Sequence, residues 1–295
     1  MKKRPFLMAL LVLGAIFLFF AGLLAVLSHF QGGDKFALGD KVAIIEVEGM
    51  IVSAAKTIDR LHEAENDASV KAVVLRIDSP GGGVGPSQEI HEEVVKLVQA
   101  KPVVVSMGAL CASGGYYIAA PASRIYANPG TITGSIGVIM EFTNIQELLD
   151  KVGLKNRVVK SGKHKDIGSP VRPMTAEDEA ILQGLIDDVH SQFVEAVAAG
   201  RKLDVAKVKP LADGRIFTGR QAQASGLVDE LGNLETAIAA AAEMGGIVGE
   251  PKLIYPLPDK KGFWQDMVGE VASQVRKGLE GRTSSGLQFV WSDAH

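Results

Sequence analysis

The chain has 295 residues, 47% of them hydrophobic, and a formal net charge of -3. That length suffices for one large domain or two small ones with a real core, and the near-neutral balance leaves no basic footprint for nucleic acid. A single cysteine, Cys111, excludes an internal disulfide framework and a multi-thiolate metal site.

Lys2, Lys3 and Arg4 precede an uncharged run over residues 5–27, with MALLVLGAIFLFFAGLLAVL at its centre. As a helix this run would span roughly 30–35 Å, the thickness of a bilayer core. A removable secretory signal has a shorter apolar region and a small-x-small cleavage site, and Leu27, Ser28 and His29 offer none. The expectation is a cytoplasmic tip and a transmembrane anchor over residues 1–29, held in lipid, with a linker over 30–40. Basic residues before the span predict a cytoplasmic N-terminus and a domain on the far side of the membrane.

Residues 42–48 read as a strand, and a helical stretch follows through Ile58, Leu61 and His62. A second, buried-looking strand covers 70–78. SPGGG (79–83) then opens onto a helix from about 87 to 99, with Ile90, Val94, Val95 and Leu97 on its apolar side. Residues 102–106 form a third strand, and CASGGYYIAA (111–120) begins another helix. Strands alternating with helices of this length predict an α/β fold with a mainly parallel sheet. The second half is expected to hold a helix over 143–151, a strand over 157–160 and a long helix over 175–201. That last helix starts with a capping box, Thr175 to Asp178, and carries Glu177 and Glu179 in its first turn. GRIFTG, the helix TGRQAQASG, the strand LVDELG and an Ala-rich helix over 236–244 complete a domain spanning 41–255. In the tail, 256–295, Phe263, Trp264, Met267, Val268 and Val271 suggest an amphipathic helix, and RTSSG a flexible loop.

Three glycines after a strand and before a helix let the backbone approach another chain closely. The loop lacks the phosphate-binding pattern, so the alternatives are a plain turn, an oxyanion hole or a grip on an extended peptide. Ser113, ahead of Gly114 and Gly115 at a helix start, is either an N-cap or a nucleophile beside open amides. Cys111 reads as a small buried hydrophobe, and Tyr116 and Tyr117 as packing residues that could floor a groove. A nucleophilic serine needs a base. Of the six histidines, His91 and His164 are the candidates for a Ser–His pair, while His29, His62, His190 and His295 are terminal or on helix surfaces. The loop SGKHKDIGS (161–169) offers Lys163 and Lys165 as well. A lysine base must fall from a pKa of about 10.4, and a drop of about 3 units costs about 4 kcal/mol, so its site must be dry. The residues alone do not separate Lys163, His164 and Lys165.

SMGALCASGGYYIAA, TGSIGVI, SGKHKDIGSP and ADGRIFTGRQAQASGLVDELG, in that order between about residues 41 and 246, closely resemble the signal peptide peptidase A family. These are membrane-anchored Ser/Lys peptidases related to the Clp protease subunit and the crotonase superfamily. The resemblance, to the short bacterial form, implies repeated ββα units with one chain carrying both catalytic groups. It implies Ser113 as nucleophile, Lys165 as general base and Ser135, the serine of TGSIG, as the residue that orients the lysine. Gly81, Gly82 and Gly114 would form the oxyanion hole, with no cofactor and no metal. Two positions depart mildly: Cys111 stands where the family often has alanine, and His164 where an aromatic is common. The implied substrates are cleaved signal peptides and other extended apolar peptides. The implied setting is a homo-oligomeric ring on a bacterial inner membrane, single-pass, with the catalytic domain extracytoplasmic. Alternatives are a related peptidase acting on a membrane-protein partner, a crotonase-type acyl-CoA enzyme and an inactive scaffold.

Overall fold

The computed structural model describes residues 14, 16, 18–20, 39–255 and 288–290. The chain divides into two compact units, Met1–Gly39 and Asp40–His295. In the first, residues 14, 16 and 18–20 are helical; the rest of the expected anchor lies outside the described residues, as does the amphipathic helix expected in the tail. Among the described residues no helix is long and apolar enough to cross a membrane.

In the second unit, β1 (Lys41–Glu48) leads through α1 (Ala55–Asn66) to β2 (Val70–Ser79), and the short β3 (Gly81–Gly83) opens α2 (Val84–Ala100). The long β4 (Val103–Ala112) runs into the short α3 (Gly114–Ala119), then β5 (Arg124–Ala127) and β6 (Ile132–Gly134). The second half comprises α4 (Gln146–Lys151), α5 (Ala176–Arg201), α6 (Val205–Val208), β7 (Ile216–Thr218), α7 (Gly219–Ala224), β8 (Glu230–Leu231), α8 (Leu234–Met244) and β9 (Lys252–Ile254). β10 (Gln288–Val290) is the described part of the tail.

One sheet runs β7-β6-β4-β2-β1-β9, with β5 and β8 added beside β4. All its pairings are parallel except β6 with β7. Parallel neighbours require crossovers that cover the sheet, so its central strands must be apolar on both faces. Accordingly Val42, Ala43, Ile44 and Ile45 of β1 are all at most 1% exposed. Ala43, Ile45, Val73 and Leu75 face the larger core, which includes Ile90, Val94 and Leu97 of α2 and Phe193 of α5. Val42, Ile44, Val74 and Val104 face the other core, where α8 contributes Ala237, Ala240 and Ala241. α5 begins as expected: Thr175 Oγ1 accepts the Asp178 N–H, and the Asp178 carboxylate accepts the Thr175 N–H, both at 3.1 Å.

Two expected elements differ. The strand at 157–160 does not form, and Arg157, Val158, Val159 and Lys160 are exposed in irregular chain. Strand preference in such residues is realised by packing against neighbouring strands, and this segment has none. The helix expected over 143–151 shortens to α4, which buries no residue. Elsewhere α2 starts earlier than expected, at Val84, and β4 continues to Ala112.

That extension of β4 prepares the site. Ile77 pairs with Met107, but Ser79 pairs with Cys111, so β4 carries two more residues than β2 across this interval. The Asp78 carboxylate holds the resulting bulge, accepting the N–H groups of Leu110 (3.1 Å) and Ala109 (3.4 Å). Gly108 makes room, since a Cβ there would lie 2.6 Å from that carboxylate. Bulges re-aim a strand, and here Leu110, Cys111 and Ala112 pair with Ile132, Thr133 and Gly134 of β6.

β3 is stitched on one edge to the turn after β1: Ile51 donates its N–H to Gly81 O (2.8 Å) and accepts the Gly83 N–H (2.9 Å). Backbone groups alternate along a strand, so the Gly82 N–H and C=O face the opposite edge. On that edge β10 pairs antiparallel, with Phe289 opposite Gly82. A Cβ at Gly82 would lie 2.2 Å from Ile51 O. Gly82→Ala is therefore expected to destabilise the fold by about 1–3 kcal/mol through forced backbone shifts. Denaturant unfolding checks this, and a midpoint equal to wild type would contradict the close approach.

Candidate active site

The bulged end of β4 delivers Cys111, Ala112 and Ser113 to the start of α3. Ser113 adopts φ 51° and ψ -116°, a left-handed conformation disfavoured for a residue with a Cβ. Such strain costs about 1–3 kcal/mol and persists only where neighbours enforce it. Two bonds do so here: the Ser113 N–H donates to Gly134 O, and Ser113 O accepts the Tyr117 N–H, each at 2.8 Å. The side chain makes no capping bond to the helix. Its Oγ is buried without a hydrogen-bond partner, in a residue only 1% exposed. The N-cap alternative for Ser113 therefore falls. A sharp strand-to-helix turn with an unbonded hydroxyl makes Ser113 the candidate nucleophile.

Ser135 follows Gly134, whose carbonyl holds the Ser113 amide. It too has a left-handed backbone, φ 50°, and its N–H donates to Arg215 O at 2.9 Å. Thr133 Oγ1 donates to Cys111 O (2.6 Å) and Thr131 Oγ1 to Gly108 O (2.7 Å), locking β6 onto the bulge. Gly115 packs on the end of β2, where a Cβ would sit 3.1 Å from Ser79 O. The glycine strand and the Ser113 turn are thus joined through Ser79. The three expected oxyanion donors differ in their bonding. The Gly81 N–H donates to Ser79 Oγ at 3.1 Å, the Gly82 N–H faces the outer edge of β3, and the Gly114 N–H lies in a first helical turn, where no intrahelical carbonyl reaches it.

The candidate bases separate clearly. His91 packs on Tyr117 with the rings tilted by 50° and their centroids 4.7 Å apart, and burial pushes its pKa down to about 4. Its Nε2 is buried without a partner, so it does not bond Ser113. His164 lies against the carboxylates of Glu177 (3.2 Å) and Asp178 (3.7 Å), and Lys163 pairs with Glu177. Lys165 is exposed, and among the described residues its ammonium has no hydrogen-bond or ion-pair partner. The single chain therefore leaves both Ser113 Oγ and Lys165 Nζ unpaired, and the two do not bond one another. Cys111 is fully buried, and burial together with nearby Asp78 pushes its thiol far above the ordinary range. That makes it inert, as its sequence context suggests.

One feature near Lys165 is missed by sequence reasoning. Arg172 forks onto Asp166 (Nε to Oδ2 and Nη2 to Oδ1, both 3.0 Å) and reaches Asp178 Oδ2 at 2.6 Å. Lys160 joins Asp166 at 2.5 Å. This clasp ties the SGKHKD loop to the capping box of α5. Only the cap residue Asp178 is visible as a local signal; the rest of the clasp depends on how the loop returns to the helix.

Residues 96–247, more than half of the chain, match the model for peptidase family S49, and residues 38–131 match that for Clp protease. A provisionally named protease of Synechocystis sp. is 46% identical, over 80% of this chain and 85% of that protein. A provisionally named signal peptide peptidase SppA of Enterococcus faecium is 34% identical, over 88% and 78% respectively. Protease 4 of Salmonella typhi is 37% identical over 70% of this chain, which covers 35% of that longer protein.

Two outcomes follow from this geometry. Iodoacetamide is expected to leave Cys111 unmodified in the folded chain and to modify it fully in guanidinium, read by mass; rapid native labelling would contradict its burial. Arg172 holds the carboxyls of Asp166 and Asp178 well below the usual carboxylate range, helped by Lys160 at Asp166 and the Thr175 amide at Asp178. Depressed carboxylates stabilise the fold above their unfolded pKa of about 4, and that contribution is lost as pH falls further. Hydrogen exchange should thus show residues 160–178 loosening below about pH 4, before the sheet opens. Arg172→Gln should produce the same loosening at neutral pH, and unchanged protection in that variant would remove the clasp.

Proposed function

Because the chain belongs to peptidase family S49, we propose that it is a serine endopeptidase whose nucleophile is Ser113 and whose general base is Lys165. The observation that carries this reading is the strained turn at Ser113, with its buried and unbonded hydroxyl beside a strand of three glycines. Neutral Lys165 takes the Ser113 proton as Oγ attacks a peptide carbonyl, and the Gly82 and Gly114 amides receive the oxyanion. The lysinium then protonates the leaving amine, and water releases the acyl-enzyme with the same lysine as base. Ser135, on the strand end that holds the Ser113 amide, orients the lysine. The Gly81 amide, engaged by Ser79, is a support for the hole and not one of its donors.

Lys165 needs a dry environment to lose its charge, and the single chain leaves it exposed. Its segment also exposes Ile145, Leu148, Val152, Leu154 and Val159, the last at 93%. We therefore assign the dyad to a homo-oligomeric ring in which contacts between copies bury this segment and bring a lysine to each serine. An enclosed ring would admit extended chains and exclude folded ones. The outer edge of β3, which β10 holds antiparallel, suits main-chain pairing with an extended peptide, and β10 must leave it before substrate pairs there and the Gly82 amide receives the oxyanion.

The membrane setting rests on the apolar run 5–27. It favours cleaved signal peptides at a bacterial inner membrane as substrates, with the domain outside the cytoplasm. A membrane-protein partner as substrate is the alternative, and cleavage of isolated signal peptides separates the two. An inactive scaffold would be expected to lack one of the dyad residues, and both are present. A crotonase-type acyl-CoA enzyme would not label at Ser113.

The test is a fluorophosphonate label on the full chain, with the adduct located by mass spectrometry. Modification at Ser113, and its loss together with peptide hydrolysis in Ser113→Ala and in Lys165→Ala, is the expected result. Lys163→Ala should remain active. Mixing inactive Ser113→Ala with inactive Lys165→Ala should restore part of the activity, since some sites then combine an intact serine with an intact lysine from another copy. A mixture without activity would leave the dyad within one chain, and full activity of Lys165→Ala alone would remove it.

A further inference from the structure

Ser79 is fully buried and belongs to neither partner of the proposed dyad. Its hydroxyl is fully engaged: Oγ donates to Gly49 O at 2.6 Å and accepts the Gly81 N–H at 3.1 Å. The residue between them, Pro80, has no N–H with which to tie this turn. Gly81 must also take φ 100° for the chain to reverse into β3, a conformation open to glycine. Backbone bonds from Ile51 to Gly81 O and from Gly49 to Asp78 O hold the two sides of this turn, and the Ser79 hydroxyl is the side-chain link that joins Gly49 to the Gly81 amide within it.

Ser79 makes two further contacts through its backbone position. It pairs with Cys111 across the β4 bulge, and its carbonyl lies close against Gly115, two residues after Ser113. One residue thus touches the β1 turn that stitches β3, the glycine strand itself and the turn that carries the serine.

We propose that Ser79 is a positioning residue for the oxyanion hole: its hydroxyl clamps Gly49 to Gly81 and thereby aims the Gly82 N–H, once β10 has left the outer edge of β3, at the carbonyl that Ser113 attacks. This rests on the reading of Ser113 as nucleophile. Removing the hydroxyl leaves a buried amide and a buried carbonyl without their partner, and both relax toward other acceptors and donors. The Gly82 amide moves with them, and an oxyanion donor acts only at the right distance and angle.

The experiment compares wild type, Ser79→Ala and Ser79→Cys in the full-length oligomer. Thermal melting, kcat and KM on a peptide amide, and inhibition by a peptide aldehyde are read for each. The aldehyde adds to the serine as a tetrahedral hemiacetal, so its affinity reports the oxyanion donors separately from ground-state peptide binding. Ser79→Ala is expected to lower kcat by about 10–100-fold, to weaken the aldehyde by the same factor and to leave KM within about threefold. Ser79→Cys, which keeps the size and a weak donor, should recover part of both losses. A folded Ser79→Ala with wild-type kcat and aldehyde affinity overturns the proposal, and so does a loss carried by KM alone. If Ser79→Ala does not melt cooperatively, Ser79→Cys carries the comparison; if neither folds, Ser79 is a packing residue and the proposal fails. A wild-type oligomer that hydrolyses nothing, or that still hydrolyses after Ser113→Ala, instead overturns the serine reading beneath it.

Discussion

The backbone of Ser113 is the constraint from which the site is built. A residue with a Cβ does not settle at φ 51° and ψ -116° unless its neighbours leave no alternative. Here the amide is pinned to Gly134 and the carbonyl to Tyr117. Gly134 is available because β6 pairs with the end of β4 beyond the bulge, where Cys111 lies between Ser79 of β2 and Thr133 of β6. Asp78 holds the bulge and Gly108 vacates the space for it. The conformation of one residue therefore depends on a chain of contacts reaching back into the sheet. Its side chain makes no capping bond, which leaves the hydroxyl free for the proposed attack.

The glycine strand obeys a different constraint. β3 is narrow because Ile51 approaches so closely that no side chain fits at Gly82. One edge is consumed by the bonds to Ile51, which leaves the other to pair with an extended chain. Catalysis by preorganised dipoles requires that such groups do not relax when charge appears. A strand pinned on one edge and clamped at its entry by a buried hydroxyl would meet that requirement in the proposed oxyanion hole. The serine turn and the glycine strand are packed together through Ser79 and Gly115.

The segment around Lys165 is built otherwise. It contributes little to either core, exposes many of its apolar side chains and is fastened chiefly by the charged clasp of Arg172 with Asp166 and Asp178. Exposed apolar surface of this kind is what the proposed contacts between copies would cover. In the proposed ring, a base assembled by association would leave the separate chain inert, which would limit stray hydrolysis.

Much was legible in the sequence. Alternation of buried strands and amphipathic helices announced the parallel sheet, since crossovers force apolar residues onto both its faces. The capping box at Thr175 and Asp178 was local chemistry and formed as read. Four motifs in order, from SMGALCASGGYYIAA to ADGRIFTGRQAQASGLVDELG, identified the peptidase family, because each is a contiguous run that needs no tertiary context to be read. What only the tertiary structure decided is non-local. Val158 and Val159 look like strand residues, yet no neighbouring strand exists to make them so. Asp78, Arg172 and Ser79 act on groups brought to them by other elements, and no spacing within their own segments signals it. The sequence by itself thus determined which residues can react and which segments can be regular. The fold decided which backbone is strained, which amides face outward and which hydroxyl has no partner, because those depend on distances between residues far apart in the chain.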